Sequence, residues 1–340
     1  MMGYGGFGFI FRVGQKGRPG GFQLAVKIAL HTAMAQLRNE ISILKQLNGA
    51  KHIVKMIASA DTEIPSYDNN RFPPLAWVFD PLTRIQGPAL AMEFMNGGNL
   101  VNLFDRIAAG GGHIPNRLLW SLLLCMIRAC IGMAYPIGAP LGTPTPTLET
   151  IQRGRKPGLL QHNDIELRNM MVRTAENEKE HQAGFTFKLI DFGAAKVSPD
   201  TKGGPPNNLF GVSQALASLI TMKPLKILNQ TGMHRGFETA GAYLLPRAGK
   251  NPYPWLDTDL ANLMAECMYI DPSKRPALEQ ALNRATQAVE GKTPNNFPNP
   301  REETDRAVRN FTQRFVIINR RFGIELLRYY HRFILDPSLK

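Results

Sequence analysis

Cysteine is scarce: the 340 residues hold only three, Cys125, Cys130 and Cys267. Three cannot close a disulfide framework, and no metal-ligand spacing appears among them. They read as reduced core thiols of an intracellular protein, cytoplasmic or nuclear. Long apolar runs are missing too. None approaches the roughly 18 residues that a membrane span needs. The longest candidate, Leu118 to Tyr135, is interrupted by Arg128 and is expected to be a buried helix, not a transmembrane segment. A secretory leader is not seen, because Met1 and Met2 run straight into glycines instead of a basic region and an apolar core. Acidic residues are few beside basic ones, 27 against 40, which leaves a formal charge of +13. That excess favours an anionic partner, whether nucleotide, nucleic acid, acidic lipid or acidic protein, without choosing among them. What is present, 44% hydrophobic and 20% charged residues, describes a soluble globular chain long enough for one large or two small domains.

The most informative stretch is Leu160 to Gly193, LQHNDIELRNMMVRTAENEKEHQAGFTFKLIDFG. Asp164 is followed five residues later by Asn169, and Asp191-Phe192-Gly193 closes a second apolar run. Two short buried strands, 170–173 and 185–190, would bring Asn169 and Asp191 into one small space. Carboxylate and amide oxygens meeting there suit a hard cation such as Mg2+. A carboxylate beside that metal can accept a proton from an attacking hydroxyl. His162-Asn163-Asp164 with Asn169, then Asp191-Phe192-Gly193, resembles the catalytic loop and metal-binding motif of the eukaryotic protein kinase superfamily.

That resemblance implies an α+β, bilobal protein kinase-like fold. Residues 1–95 would form a small antiparallel-sheet lobe with one helix, 96–290 a larger and mainly helical lobe, and 291–340 a basic tail. Gly3, Gly5, Gly6 and Gly8 form a glycine-rich loop followed by a strand from Phe9. A Rossmann turn needs a strand before it and a helix after it, so a phosphate-covering hairpin fits better. Glycine there would let the backbone approach phosphates. By the resemblance more of the first strand should precede the loop, so the start is expected to be clipped.

Lys27 is embedded in the strand 22–29, and Glu40 shares the inward stripe of a helix over 32–47 with Leu37, Ile41, Leu44 and Leu47. A carboxylate on a buried stripe needs a partner. Lys27 resembles the lysine that binds the α/β-phosphates, and Glu40 the glutamate that holds it. A fourth strand is expected over 52–60, then an insertion over 62–88 with another strand at 77–79. Residues 89–100, ALAMEFMNGGNL, resemble the last strand and hinge. That match makes Met92 the gatekeeper, gives adenine to the backbones of Glu93 and Met95, sets Asn99 near the ribose, and brings Ile10 and Ala25 against the nucleotide. Helices are expected over 100–108 and 117–133, and 137–156 reads as a solvated, flexible loop.

The implied reaction is transfer of the γ-phosphoryl group of ATP to a protein hydroxyl, serine or threonine. Asp164 would be the base, Asn169 and Asp191 the Mg2+ ligands. Departures from the family pattern are several. Asn163 stands where an Arg usually precedes the catalytic Asp, so no phosphate-driven activation switch is expected. Glu166 stands where a phosphate-contacting Lys is usual, and Arg168 could compensate. No Ala-Pro-Glu-like motif follows Gly193, Asn208 replaces an Asp, and Arg275 of the 271–276 loop must find a new partner. A pseudokinase scaffold and a choline- or aminoglycoside-type small-molecule kinase therefore stand as alternatives.

From Pro300 onward the resemblance ends. Phe311, Phe315, Ile318, Phe322, Leu326, Tyr329 and Phe333 recur at helical steps among arginines, so one long amphipathic helix is expected. It would dock back onto the helical lobe, onto a partner helix or onto an anionic membrane surface. No nucleic-acid module is recognised.

Overall fold

The computed structural model describes residues 3–5, 8–14, 23–62, 82, 85–174, 181, 184–200, 202–223, 231–247 and 249–316. The chain is mixed α+β: a small antiparallel sheet comes first and helices dominate the rest of the chain. Strands β1 (Gly3–Gly5), β2 (Gly8–Gly14), β3 (Gln23–Ala29), β4 (Met56–Thr62) and β5 (Gly87–Glu93) pair in the order β1-β2-β3-β5-β4. Every adjacent pair is antiparallel. At Gly8, φ is 154° and an added Cβ would lie 2.1 Å from the Ile28 carbonyl oxygen. Close pairing of β2 with β3 therefore demands glycine there, whatever lies over the loop. Gly6 and the strand expected at 77–79 lie outside the described residues.

Helix α1 (Met34–Leu47) comes after a short 3-10 turn and lays Leu37, Glu40, Ile41, Ile43, Leu44 and Leu47 inward. The strand expected from His52 begins only at Met56. His52 and Ile53 instead sit in a buried connection, where the His52 carbonyl accepts from Leu189 N–H at 2.9 Å.

The helical part is organised on α3 (Asn116–Ala134), entered from α2 (Leu100–Gly110). All of α3 except Arg117 and Ser121 is buried. It is long and apolar enough to cross a membrane by length and composition, yet 89% of that window is buried inside the protein. Helices α4 (Pro205–Thr221) and α6 (Leu278–Gly291) pack on it, and α5 (Thr258–Cys267) packs on α4. The start of α3 has no side-chain cap of its own. Glu303, buried and far along the chain, accepts from Asn116 N–H at 2.6 Å and Arg117 N–H at 3.0 Å. A carboxylate at a helix N-terminus satisfies orphan donors and suits the dipole.

One expectation is corrected here. The 137–156 segment is not simply solvated. Its Thr147 bonds Gly49 and Lys51 across a bridge to Ala50, and its Glu149 is 2% exposed. Backbone pairing with the end of α1 and a buried carboxylate anchor tie it down. In the tail, only residues 311–316 of the expected long helix are described, and they are helical. Pro300–Glu303 forms a 3-10 turn, α7 spans Asp305–Phe311, and a π turn covers Thr312–Val316. Thr304 restarts the helix by accepting from Ala307 N–H at 3.2 Å. Phe315 and Val316 are buried, and Arg106 of α2 donates to the Phe315 carbonyl. Ile318, Phe322, Leu326, Tyr329 and Phe333 lie outside the described residues.

Candidate active site

Strand β3 presents Lys27 between Ile10 on β2 and Leu90 on β5. Its ammonium lies 2.7 Å from Glu40 Oε2 and 2.7 Å from Asp191 Oδ1. Lys27 is 6% exposed and Glu40 1%. Burial alone would lower the Lys27 pKa; the charge of Glu40 and then that of Asp191 outweigh it and hold the ammonium above its usual value. Burial pushes Asp191 up, but the charge and hydrogen bond of Lys27, helped by the Gly193 N–H and other neighbours, together hold its carboxyl below the usual range. Glu40 also accepts from Phe192 N–H at 3.3 Å. One carboxylate on α1 thus joins a strand lysine to the chain just beyond β8 (Phe185–Leu189).

Asp191 has φ 64° and ψ 71°, left-handed, ahead of the 3-10 turn Phe192–Ala194. Asn163 is also left-handed, φ 61°, and its amide donates to the Ala194 carbonyl at 3.1 Å. Such backbone costs of order 1–3 kcal/mol each and persists only where neighbours enforce it. The enforcing neighbour is His162, fully buried against the edge of the Phe192 ring at 4.7 Å. Its Nε2 lies 2.9 Å from the Ile190 carbonyl and its Nδ1 accepts from Asp164 N–H at 3.2 Å. Burial holds its pKa below 6.5, so the ring is neutral, with the proton on Nε2. Asn208 on α4 accepts from His162 N–H at 3.1 Å and donates to Leu160 O at 2.8 Å, so an amide anchors the loop from below.

Between the short strands β6 (Leu160–Gln161) and β7 (Met170–Thr174), Asn169 donates to the Asp164 carbonyl at 2.8 Å and to Asp164 Oδ2 at 2.9 Å. Its own side-chain carbonyl oxygen is left for other work. Arg168 reaches Asp164 Oδ1 at 2.6 Å and also pairs closely with Glu166. Glu166 is therefore a partnered carboxylate. Among the described residues, Asp164, Glu166, Asp191 and Glu40 pair with Lys27 and Arg168 alone, so the ion-paired cluster carries two uncompensated negative charges. Hard oxygen donors with that deficit suit one hard divalent cation, and the residues present fit Mg2+ on that count.

These groups line one end of a cavity of about 410 Å3. Gly8, Ile10, Ala25 and Val54 form its sheet side, Met92, Glu93, Met95 and Asn99 its back edge, and Arg168, Asn169, Met171, Ile190 and Asp191 its floor. That volume and its largely apolar lining with a polar end are those of a small-molecule site. Gly3 and Gly5 are β1 residues, paired with Ile10 and Gly8. Glu93 gives its N–H to the Lys55 carbonyl at 3.0 Å, so only its carbonyl could serve a ligand. Asn99 accepts from Asn102 N–H and caps α2.

Two neighbours were not singled out in the sequence. Asn39 donates to the Ala195 carbonyl at 2.9 Å, fixing the turn after Asp191 to α1. Lys188, 2% exposed within β8, donates to Glu93 Oε1 at 2.6 Å, and Arg173 pairs with the other oxygen. A lysine inside the apolar run FTFKLI was the available signal, since a buried ammonium requires a carboxylate. Arg275 bonds the Tyr269 carbonyl at 2.8 Å and Asn207 Oδ1 at 2.8 Å, and stacks 4.5 Å over the Phe210 ring. No protein-family model matches this chain, and no curated protein matches it.

Proposed function

We propose that the chain is an ATP-dependent protein kinase of bilobal fold, transferring the γ-phosphoryl group to a serine or threonine hydroxyl of a protein substrate. The observation that carries this reading is the double contact of Lys27, 2.7 Å from both Glu40 and Asp191, at the polar end of an apolar-lined cavity. In this reading residues 1–95 and 96–290 are the two lobes. Met92, the Glu93 carbonyl and Met95 face adenine. Asn99 lies toward the ribose. Lys27, fixed by Glu40, positions the α/β-phosphates.

Asp191 and the free side-chain carbonyl oxygen of Asn169 would hold Mg2+. When bound, that ion neutralises charge on the phosphate oxygens as it develops. Asp164 orients the acceptor hydroxyl and takes its proton. Arg168 offsets Glu166, which would otherwise repel phosphate. Arg168→Ala is then expected to lower the transfer rate far more than ATP affinity; an unchanged rate would discard that role.

A scaffold reading has one observation in its favour. Both Asp164 oxygens are already engaged, Oδ1 by Arg168 and Oδ2 by Asn169. A substrate hydroxyl would have to share an oxygen with one of those donors. The deciding experiment is transfer from radiolabelled ATP with Mg2+, using generic protein acceptors beside a panel of amino alcohols. Asp164→Ala should lower protein labelling by about 10²- to 10⁴-fold while Mg2+–ATP still raises its melting temperature. Binding without transfer in the parent protein would select the scaffold. Labelling of amino alcohols alone would select a small-molecule kinase. Neither binding nor transfer would end the nucleotide reading.

A further inference from the structure

Beside the end of β8, where the His52 carbonyl bonds Leu189 N–H, three metal-capable side chains meet in a fully buried cluster. His52 comes from the α1–β4 connection, Cys125 from the middle of α3, and His181 from the chain between β7 and β8. Their exposures are 0%, 1% and 2%. Their ligand atoms all lie within 4.8 Å of one another, and the two Nε2 atoms are 3.0 Å apart. Glu149 lies behind His52. One of its oxygens is 2.7 Å from His52 Nδ1, and the other accepts from His52 N–H at 2.7 Å. That carboxylate accepts a hydrogen bond from Nδ1–H, so a metal would take the Nε2 side of the ring, which faces His181.

We propose that His52, Cys125 and His181 form a structural Zn2+ site, with Glu149 as the outer carboxylate that orients His52. The ligand chemistry is that of zinc: a thiolate and two imidazoles, with a carboxylate–histidine pair behind. The dimensions fit. Bond lengths of about 2.0–2.1 Å to nitrogen and 2.3 Å to sulfur give tetrahedral edges of roughly 3.3–3.7 Å. The nitrogens need to part by only a few tenths of an ångström, and the sulfur to close by no more than about one. Charge fits as well. Zn2+, the Cys125 thiolate and the Glu149 carboxylate sum to zero in a place closed to bulk solvent. Arg128, the neighbouring cation on α3, is bonded to the Glu149 carbonyl at 2.5 Å. Binding forms the Zn–S bond and displaces to solvent the proton that the Cys125–His52 pair holds. A proton on His181 Nε2 moves to its other nitrogen or leaves likewise. Three protein ligands leave a fourth position for a water or another donor.

The site would join three segments that lie far apart along the chain. Leu189 N–H already bonds the His52 carbonyl at 2.9 Å, and Asp191 comes two residues later. A metal there would stiffen the end of β8. This inference stands on the buried cluster alone and is independent of the nucleotide reading.

The test uses tag-free full-length protein, stripped with a chelator and titrated with Co2+ and then Zn2+. One equivalent of Co2+ should give a thiolate-to-cobalt charge-transfer band in the near ultraviolet and the intense d–d bands of a four-coordinate ion. Zn2+ should abolish both and release protons. Zn2+ should also raise the melting temperature by roughly 5–10 °C at a thousandfold excess over Kd. Cys125→Ala should lose the charge-transfer band, His181→Asn should weaken binding at least tenfold, and Glu149→Gln should weaken it about 10- to 100-fold. Circular dichroism checks that each variant folds. Should Cys125→Ala fail to fold, the parent spectrum and His181→Asn decide. A parent protein without the charge-transfer band, or a folded Cys125→Ala that keeps it, would overturn the site.

Discussion

The sheet part and the helical part of this molecule are held together by different physics. In β2 and β3 most residues are only partly buried, and α1, which packs on the sheet, joins it through an ionic pair, Lys27–Glu40. In the helical part α3 is enclosed by apolar neighbours along nearly its whole length. Some polar groups there are matched individually, as where Trp120 donates its ring N–H to Asp257 at 2.7 Å. The difference teaches where stability and chemistry reside. Apolar burial is non-directional and makes a rigid base. Charged contacts are directional, so the thinner sheet part can set atoms at defined distances while contributing less to the core.

Four measurements would break or sharpen that contrast. The largest effect is expected in the base: Trp120→Ala should cost about 3–5 kcal/mol in urea unfolding, with midpoint shifted and slope kept. Next, Lys27→Met leaves the Glu40 carboxylate buried and should cost about 3 kcal/mol. Adding Glu40→Leu should return much of that loss. A double-mutant cycle with no coupling would mean that the pair does not hold the sheet part in place.

The third effect is a pH slope. His162 is neutral when folded because burial lowers its pKa, whereas the unfolded ring takes a proton near pH 6.5. Its contribution is therefore present above pH 6.5 and lost as pH falls from there toward the folded value. Melting temperature should drop over that window, and His162→Asn should show a shallower drop. The smallest effect should be Arg38→Ala. Arg38 and Asp61 pair at 2.7 Å but are about half exposed, and solvent screens such a pair. No shift of the unfolding midpoint is expected; a clear shift would show that the sheet part leans on its surface charges.

Much of the frame could be read from residue patterns. The stripe of α1 with Glu40 inside it, the apolar α3 and the paired strands β7 and β8 all arise from periodicity. The mixed α+β class was expected from the resemblance that the 160–193 stretch carries, not from periodicity. Legibility failed where contacts are far apart in sequence. His52 looked like a strand start because its neighbours are apolar; its real surroundings are Glu149, Cys125 and His181, brought from three other segments. The 137–156 segment looked solvated because its composition is rich in Pro, Gly and Thr, yet Thr147 and Glu149 bind back onto the end of α1 and the connection after it. Glycine at position 8 could be recognised as necessary, but the reason lies in the approach of β3.

By itself the order of residues determined which faces turn inward, where helices and strands form, and which side chains are too polar to be buried alone. Those properties depend on neighbours a few positions away. Only the folded chain decided which charges meet: that Lys27 serves two carboxylates at once, that Arg168 offsets Glu166, and that Glu303 caps a helix nearly two hundred residues earlier. Coulomb and hydrogen-bond energies vary over ångströms, and those distances exist only once remote segments have been packed against a common core.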